Sequence, residues 1–254
     1  IENKSMSPRN INIAPRAFLG FAFIALLVIV LGFFALNRMS VIRQATISME
    51  TNMLPSIGFL GNVTEGVLRL RILSFRILTN REPAALEEAA RRINELTTDL
   101  QKAKANYAAL PADGDELAVY KEFDATLGKY LAAQDQAMEL SRQDKVEELR
   151  TLINTQIKNG TDLMGEQLKK LVAINKSGAI AASKVAGEEY DGATLAIISF
   201  SVAAALMTVL LAWLLTRSIV TPLSKALRAA EEIAGGNLTK NIEIDGNDEP
   251  ARLL

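Results

Sequence analysis

The sequence predicts an all-α membrane protein in which an antiparallel, up-down four-helix bundle lies between two transmembrane helices. Two segments without a charged residue, 17–37 and 192–216, indicate the membrane helices. Between them, apolar residues recur at steps of three and four, which is the spacing of a helix with one buried side. This spacing is interrupted at three places, so the intervening segment divides into four helices, and the short links favour antiparallel neighbours.

Each apolar segment is long enough to cross a membrane as an α-helix, which needs about 20 residues. Arg16 and Arg38 flank the first segment, and Arg217 follows the second. A signal peptide is the alternative for the first, but the apolar run is too long and no small-residue cleavage pattern follows it. A buried core helix is the alternative for the second, although core helices rarely run this far without a charge. Since both outer flanks are basic, we expect both ends of the chain in the cytoplasm.

The two membrane helices divide the chain into five segments. These are a cytoplasmic N-terminal tail (1–16), transmembrane helix 1 (17–37), an external four-helix-bundle domain (38–191), transmembrane helix 2 (192–216) and a cytoplasmic segment (217–254). The chain has no cysteine, no histidine and a formal net charge of −1. It therefore offers no thiol nucleophile, usual zinc site or histidine base, and its charge gives no reason to expect a nucleic acid partner. We expect neither an enzyme nor a bound cofactor.

The apolar pattern gives each bundle helix a stripe that should face the core. The second stripe is the most regular, with Leu86, Ala89, Ile93, Leu96, Leu100, Ala103, Tyr107 and Leu110. The first contains Ile57, Leu60, Val63, Val67, Leu70 and Ile77, and the fourth contains Val146, Leu149, Ile153, Ile157, Met164, Leu168 and Leu171. The third is looser, with Leu117, Tyr120, Leu127, Leu131 and Met138, and with Phe123 and Tyr130 beside it.

The breaks between these helices fall at 81–83, 110–114 and 141–144. Proline and glycine explain the first two, because proline cannot continue a helix beyond its first turn. Asp113 and Asp144 are candidates to cap the helices that follow them. The outer two helices are longer than the inner two, and both continue into membrane helices. This matched excess length favours a bundle over the alternative, a generic coiled-coil spacer.

The segment after the second membrane helix carries a recognisable pattern. Pro222 lies just past the span, Gly236 and Leu238 belong to a turn that ends a short helix, Ile242 lies four residues beyond Leu238, and Glu249 stands where a second helix opens. This pattern resembles a HAMP domain, the parallel helix–connector–helix relay that follows membrane spans in bacterial receptors. The resemblance implies that these residues serve signal relay and that residues 217–254 are an incomplete HAMP domain.

With two spans and four helices between them, the whole chain resembles the sensor half of a bacterial methyl-accepting chemotaxis receptor. The resemblance implies an inner-membrane homodimer with a periplasmic sensor, a small-molecule ligand, and a cytoplasmic kinase and adaptor reached through a further C-terminal domain. A homodimer also follows from the first HAMP helix, whose apolar stripe is too thin to fold alone. Two alternatives remain open. The first alternative is the input half of a sensor histidine kinase or diguanylate cyclase. The second is a structural coiled coil tethered to the membrane.

The candidate ligand-binding residues lie on the first and fourth bundle helices. Arg69 and Arg76 share a helix face because they are seven residues apart, whereas Arg71 points to another side. A guanidinium group presents a planar fork that suits a carboxylate. The aspartate and serine receptors of this family bind amino acids with arginines from the same region and a threonine early in the fourth helix, which Thr155 and Gln156 resemble. The implied ligand is an organic acid or an amino acid, and ordinary ion pairs on a solvated face are the alternative.

The basic flanks yield a test of topology. The chain lacks cysteine, so Ala112→Cys and Gly246→Cys each introduce a single thiol. We expect a membrane-impermeant thiol reagent to label position 112 in intact cells and position 246 only after lysis. The reverse labelling pattern would contradict the predicted topology.

Overall fold

The structure, a computed structural model, describes residues 12–112, 114–236 and 249. Seven α-helices and no strand occur in this described part of the chain. The helices are α1 (Ile13–Ser48), α2 (Leu54–Thr79), α3 (Pro83–Ala108), α4 (Gly114–Arg142), α5 (Val146–Leu152), α6 (Lys158–Leu215) and α7 (Thr221–Ala234). Three π-helical turns, Met49–Met53, Ile153–Ile157 and Thr216–Val220, join consecutive helices without interrupting the helical run. The prediction of an all-α fold is confirmed.

Residues 41–188 form one compact unit, a four-helix bundle. Its helices are α2, α3, α4 and the run from α5 into α6, and tight links make successive helices antiparallel. Pro83 is the first residue of α3, a position where its missing N–H costs nothing. The three links therefore fall where the sequence pattern is interrupted.

A single hydrophobic core runs along the bundle axis. Its largest fully buried apolar and aromatic side chains include Leu60, Leu70, Ile77, Leu100, Phe123, Leu127, Tyr130, Leu149, Ile153, Ile157, Met164 and Leu168. Full burial of one such side chain stabilises the fold by about 1.5–3 kcal/mol relative to exposure. The stripes predicted for the first, second and fourth helices supply most of this core.

The stripe predicted for the third helix is correct in part, since Leu127 and Met138 lie in the core and Tyr120 and Leu131 pack against it. Leu117 is exposed, whereas Phe123 and Tyr130, which we placed beside the stripe, lie at the centre of the core. The prediction followed large apolar side chains only, but the face that holds the two aromatic rings is completed by small or polar residues. These are Ala133, Gln134, Ala137 and Ser141, all buried.

The prediction that Asp144 caps the fourth bundle helix is wrong. Lys145 occupies the cap position of α5 without a side-chain bond, and Asp144 has a left-handed backbone with φ of 57°. Its carboxylate instead accepts a hydrogen bond from Arg81, which also donates to the Ser141 carbonyl at 3.1 Å. Arg81 thereby ties together the two links at this end of the bundle. Asp113, the other predicted cap, lies outside the described residues.

The second unit contains the helical segments that precede and follow the bundle in the sequence. Two helical runs, Ile13–Thr79 and Val146–Ala234, include a stretch long and apolar enough to cross a membrane. Neither stretch is buried, so they differ from the core helices of a soluble protein. Within this unit a Cβ added at Gly20 would lie 2.9 Å from the Leu211 side chain, which shows close packing of the two helices. Arg38 and Glu189 form an ion pair at 2.5 Å.

A polar network crosses the bundle core at the level of Tyr130. The Ser74 hydroxyl donates to Gln134 Oε1 at 2.9 Å, and Gln134 Nε2 donates to the Tyr130 hydroxyl at 2.8 Å. The Thr161 hydroxyl donates to the Ile157 carbonyl. Burial raises the pKa of Tyr130, so its hydroxyl is neutral. Since these side chains are buried, the Ser74–Gln134 hydrogen bond links α2 to α4 where water is excluded.

We expect Gln134→Leu to lower the free energy of unfolding by about 1–3 kcal/mol, because the Tyr130 hydroxyl would lose a buried partner. Chemical denaturation of the reconstituted chain, followed by circular dichroism, measures the change. Gln136→Leu is the matched control, since Gln136 is exposed on the same helix. Equal stability of the two variants would show that the network does not stabilise the bundle.

Candidate functional site

The candidate site is an open groove of about 460 Å³ between α2 and α3. Arg69 and Arg76 of α2 both line it, as their seven-residue spacing predicts. Arg92, Glu95 and Asp99 line it from α3, and Ile72, Leu73 and Leu96 provide its apolar surface. The groove therefore combines three guanidinium groups, two carboxylates and an apolar wall.

The arginines of the groove form ion pairs that differ in length and are exposed to solvent. Arg69 Nη2 lies 2.5 Å from Glu65 Oε1, one turn earlier on the same helix. Arg92 Nε lies 3.3 Å from Glu88 Oε1, whereas Arg76 Nη2 lies 3.8 Å from Glu88 Oε2. The last separation is too long for a hydrogen bond. Because these pairs are exposed to solvent, each contributes little stability, about 0–1 kcal/mol.

Arg71 lies apart from the groove, on the side of α2 that faces α6. Its Nη1 atom is 3.1 Å from Asp162 Oδ1, and Lys158 Nζ is 3.2 Å from the other oxygen of the same carboxylate. The hydrogen bond and charge of Lys158, followed by Arg71, hold the pKa of Asp162 below its usual value. The pairing therefore depends on an ionised Asp162 and weakens as the pH falls through that lowered pKa.

Thr155 and Gln156 lie in the π-helical turn of the fourth bundle helix, Ile153–Ile157, and both are exposed. The Thr155 hydroxyl donates to the Thr151 carbonyl at 2.6 Å. Neither residue lines the groove of Arg69 and Arg76. A single protomer therefore brings Arg69 and Arg76 together, but not all five predicted ligand-binding residues.

Three lining residues were missed in the sequence: Arg92, Glu95 and Asp99. They stand beside the regular stripe of the second helix, where the pattern predicts exposed side chains. Their position opposite Arg69 and Arg76 depends on how α3 is aligned with α2, which hydrophobic spacing does not specify. The signal available in the sequence was the density of charge on that side of α3.

Comparison with known families agrees with this architecture. The family model described as "Four helix bundle sensory module for signal transduction" matches residues 10–190. The chain belongs to this family. A HAMP domain model matches residues 214–249, so this sensory module is followed by a HAMP domain, as the sequence resemblance predicted. The family is a signalling module and not an enzyme family.

Two curated relatives are similar to this member of the sensory module family. Over 241 residues the chain is 22% identical to "Putative sensory transducer protein YvaQ" of Bacillus subtilis. The aligned region covers 94% of this chain and 42% of that protein. Over 53 residues it is 42% identical to "Methyl-accepting chemotaxis protein McpQ" of Pseudomonas putida. That aligned region covers 21% of this chain and 8% of that protein. The chain thus spans less than half the length of these relatives.

Within the HAMP domain, the structure places three of the five predicted relay residues. Pro222 is buried at the start of α7, and Gly236 has a φ of 87°, which favours glycine, just after the helix ends. Glu249 Oε2 accepts a hydrogen bond from the Ile13 backbone N–H at 2.9 Å. Leu238 and Ile242 lie outside the described residues, and the relay role of all five stays a prediction.

Proposed function

We propose that this chain is the sensing and membrane-spanning part of a methyl-accepting chemotaxis receptor of the bacterial inner membrane. The observation that carries the proposal is the order of modules on one chain. A four-helix sensory module at 10–190 is followed directly by a HAMP domain at 214–249, and an apolar helix links them. The names of both relatives point to the same class of receptor. In this arrangement the bundle senses a periplasmic ligand and the HAMP domain relays the signal in the cytoplasm.

The groove between α2 and α3 supports a small carboxylate as the ligand. Among the described residues, Arg76 has no hydrogen-bonded carboxylate, since Glu88 is 3.8 Å away and lies closer to Arg92. A ligand carboxylate in the groove would form charge-assisted hydrogen bonds with Arg76, each contributing about 1.5–3 kcal/mol. Glu95 and Asp99 in the same groove would accept hydrogen bonds from a ligand amino group. An organic acid or an amino acid therefore fits the charges that line the site.

An exposed apolar face beside the groove supports a homodimer. Leu68, Ile72 and Phe75 of α2 are 50%, 65% and 39% exposed, and they follow one another at steps of four and three. Such a face is buried when a second copy of α2 packs on it. Ile72 belongs both to this face and to the groove. The proposed ligand site therefore borders the subunit interface, where Arg71, Thr155 and Gln156 would complete it from one subunit or the other.

The continuous helix α6 supports signal transfer. It extends from Lys158 in the bundle to Leu215, and the turn Thr216–Val220 connects it to α7 of the HAMP domain. A ligand that favours one packing of the bundle would shift this helix by a small distance. The output would reach a cytoplasmic kinase and adaptor through a region beyond the residues of this chain.

Ligand class is tested by calorimetry on the reconstituted 254-residue chain. We expect at least one member of a panel of dicarboxylates and acidic amino acids to bind, and the corresponding neutral amides not to bind. Arg76→Ala should weaken binding at least about tenfold, because one charge-assisted hydrogen bond contributes about 1.5–3 kcal/mol.

Arg150→Ala is the matched control, since Arg150 is exposed on α5 and pairs only with Glu147 among the described residues. Its affinity should equal that of the parent chain. Amides that bind as well as acids, or carboxylate binding that is unchanged in Arg76→Ala, would contradict this assignment.

The dimer interface is tested by oxidative cross-linking in membranes. Ile72→Cys should form a disulfide between identical positions on two copies, because the apolar face would place both thiols at the interface. Lys129→Cys, exposed on α4, should remain largely monomeric under the same conditions. Equal cross-linking of the two variants would argue against this face.

A further inference from the structure

We propose that the bundle carries a second ligand site, at the end opposite to the Arg81 link, which binds a small organic ammonium ion with Glu116 as its counter-ion. The site is a cavity of about 350 Å³ beside the link between α3 and α4. Asn52 and Met53 line it from the first bundle helix, and Asn175 lines it from α6.

The charge of the cavity comes from Glu116. Its Oε1 atom accepts hydrogen bonds from the Tyr107 hydroxyl at 2.6 Å and from Asn175 Nδ2 at 2.5 Å. Both donors are neutral, since burial and the bond to Glu116 raise the pKa of Tyr107 far above its usual value. Within the described part of the chain, no lysine or arginine lies within ion-pair distance of Glu116. The carboxylate is therefore held in place by neutral donors in the first turn of α4, without a basic side chain among the described residues to pair it.

The remaining polar atoms of the cavity are mainly acceptors. Asn175, which is only 3% exposed, uses its amide N–H groups on Glu116 and on the Leu171 carbonyl. Asn52 Nδ2 donates to the Pro111 carbonyl at 3.0 Å. Asn52 Oδ1 already accepts from the Ser56 hydroxyl at 3.5 Å, so the Asn175 amide oxygen and the second carboxylate oxygen of Glu116 are the acceptors left to a ligand among the described residues. A ligand must therefore supply donors and positive charge, which an ammonium group does with three N–H bonds.

The walls select an organic cation over a metal ion. Met53, Ile174 and Pro111 present apolar surface against which a short alkyl chain can pack, and methionine adapts its shape readily. A divalent cation such as calcium requires six to eight oxygen ligands, usually with several carboxylates. Glu116 is the only carboxylate among the described lining residues. The described part of the chain also contains no cluster of three or more metal-ligating side chains.

The position of the cavity gives such a ligand access to both long helical runs. Met53 ends the π-helical turn Met49–Met53, and a Cβ added at Gly178 of α6 would lie 3.2 Å from its terminal methyl group. The first helical run and α6 thus approach each other closely beside the cavity. A cation bound to Glu116 would contact both, and would bias their packing independently of the arginine groove.

The test uses n-butylammonium chloride as the probe, titrated calorimetrically into the reconstituted 254-residue chain. We expect saturable binding of n-butylammonium and none of butan-1-ol or butyrate at the same concentrations. Glu116→Gln should weaken binding at least about tenfold, because the counter-charge is lost while an oxygen remains for Tyr107 and Asn175. Its thermal unfolding midpoint, measured in parallel, verifies that the bundle is folded.

Three further variants make the result decisive. Ala112→Leu, which fills the cavity and keeps Glu116, should also abolish binding. Glu122→Gln, an exposed carboxylate on the same helix, should bind like the parent chain, and so should Arg150→Ala, exposed on α5 outside both sites. Absence of n-butylammonium binding by the parent chain, equal binding of butan-1-ol, or unchanged binding by Glu116→Gln would overturn the proposal.

Discussion

The packing of Tyr130 against Gly160 governs how closely the helices of the bundle approach one another. A Cβ at position 160 would lie 3.2 Å from the Tyr130 ring, so the absence of a side chain there lets α4 and α6 come together around a large aromatic group. The same ring carries a hydroxyl that must find a partner, and Gln134 provides it. Gln134 in turn accepts from Ser74, which ties α2 to the pair. The helix that carries Arg69, Arg71 and Arg76 is therefore positioned partly through one buried tyrosine.

Much of the fold follows from spacing alone, because each helix must bury one side and the links between helices are marked by proline and glycine. The third helix shows where this reasoning fails. Its core face includes Gln134 and Ser141, polar residues that hydrophobic spacing does not predict to be buried, and Gln134 is hydrogen-bonded there to Ser74 and Tyr130. Asp144 shows a second failure, since its contact with Arg81 lies across two links that the sequence separates widely. The side of α2 shared by Arg69 and Arg76 was predictable from periodicity within one helix, whereas Arg92 and Glu95 required the alignment of two.

The two proposed sites differ in charge in a way that suits their surroundings. The groove between α2 and α3 is open and rich in arginine, and its ion pairs are exposed and exchangeable. The cavity around Glu116 is smaller, and its neutral donors, Tyr107 and Asn175, are engaged in hydrogen bonds to the Glu116 carboxylate. An anion and an organic cation would therefore not compete, and each would act on a different pair of helices. The two proposed sites would thus let one bundle bind ligands of opposite charge at different ends.

The π-helical turn Thr216–Val220 has a consequence for sequence variation at the end of the second apolar helix. A π-turn accommodates one residue more than the α-helix it interrupts. Loss of that residue would leave a regular helix, but everything after it would be rotated by about 100°. The side of α7 that carries Pro222 would then face a different direction with its own sequence intact. The number of residues in this turn thus determines the rotation of α7 about the helix axis. A deletion here would therefore change the structure more than most substitutions.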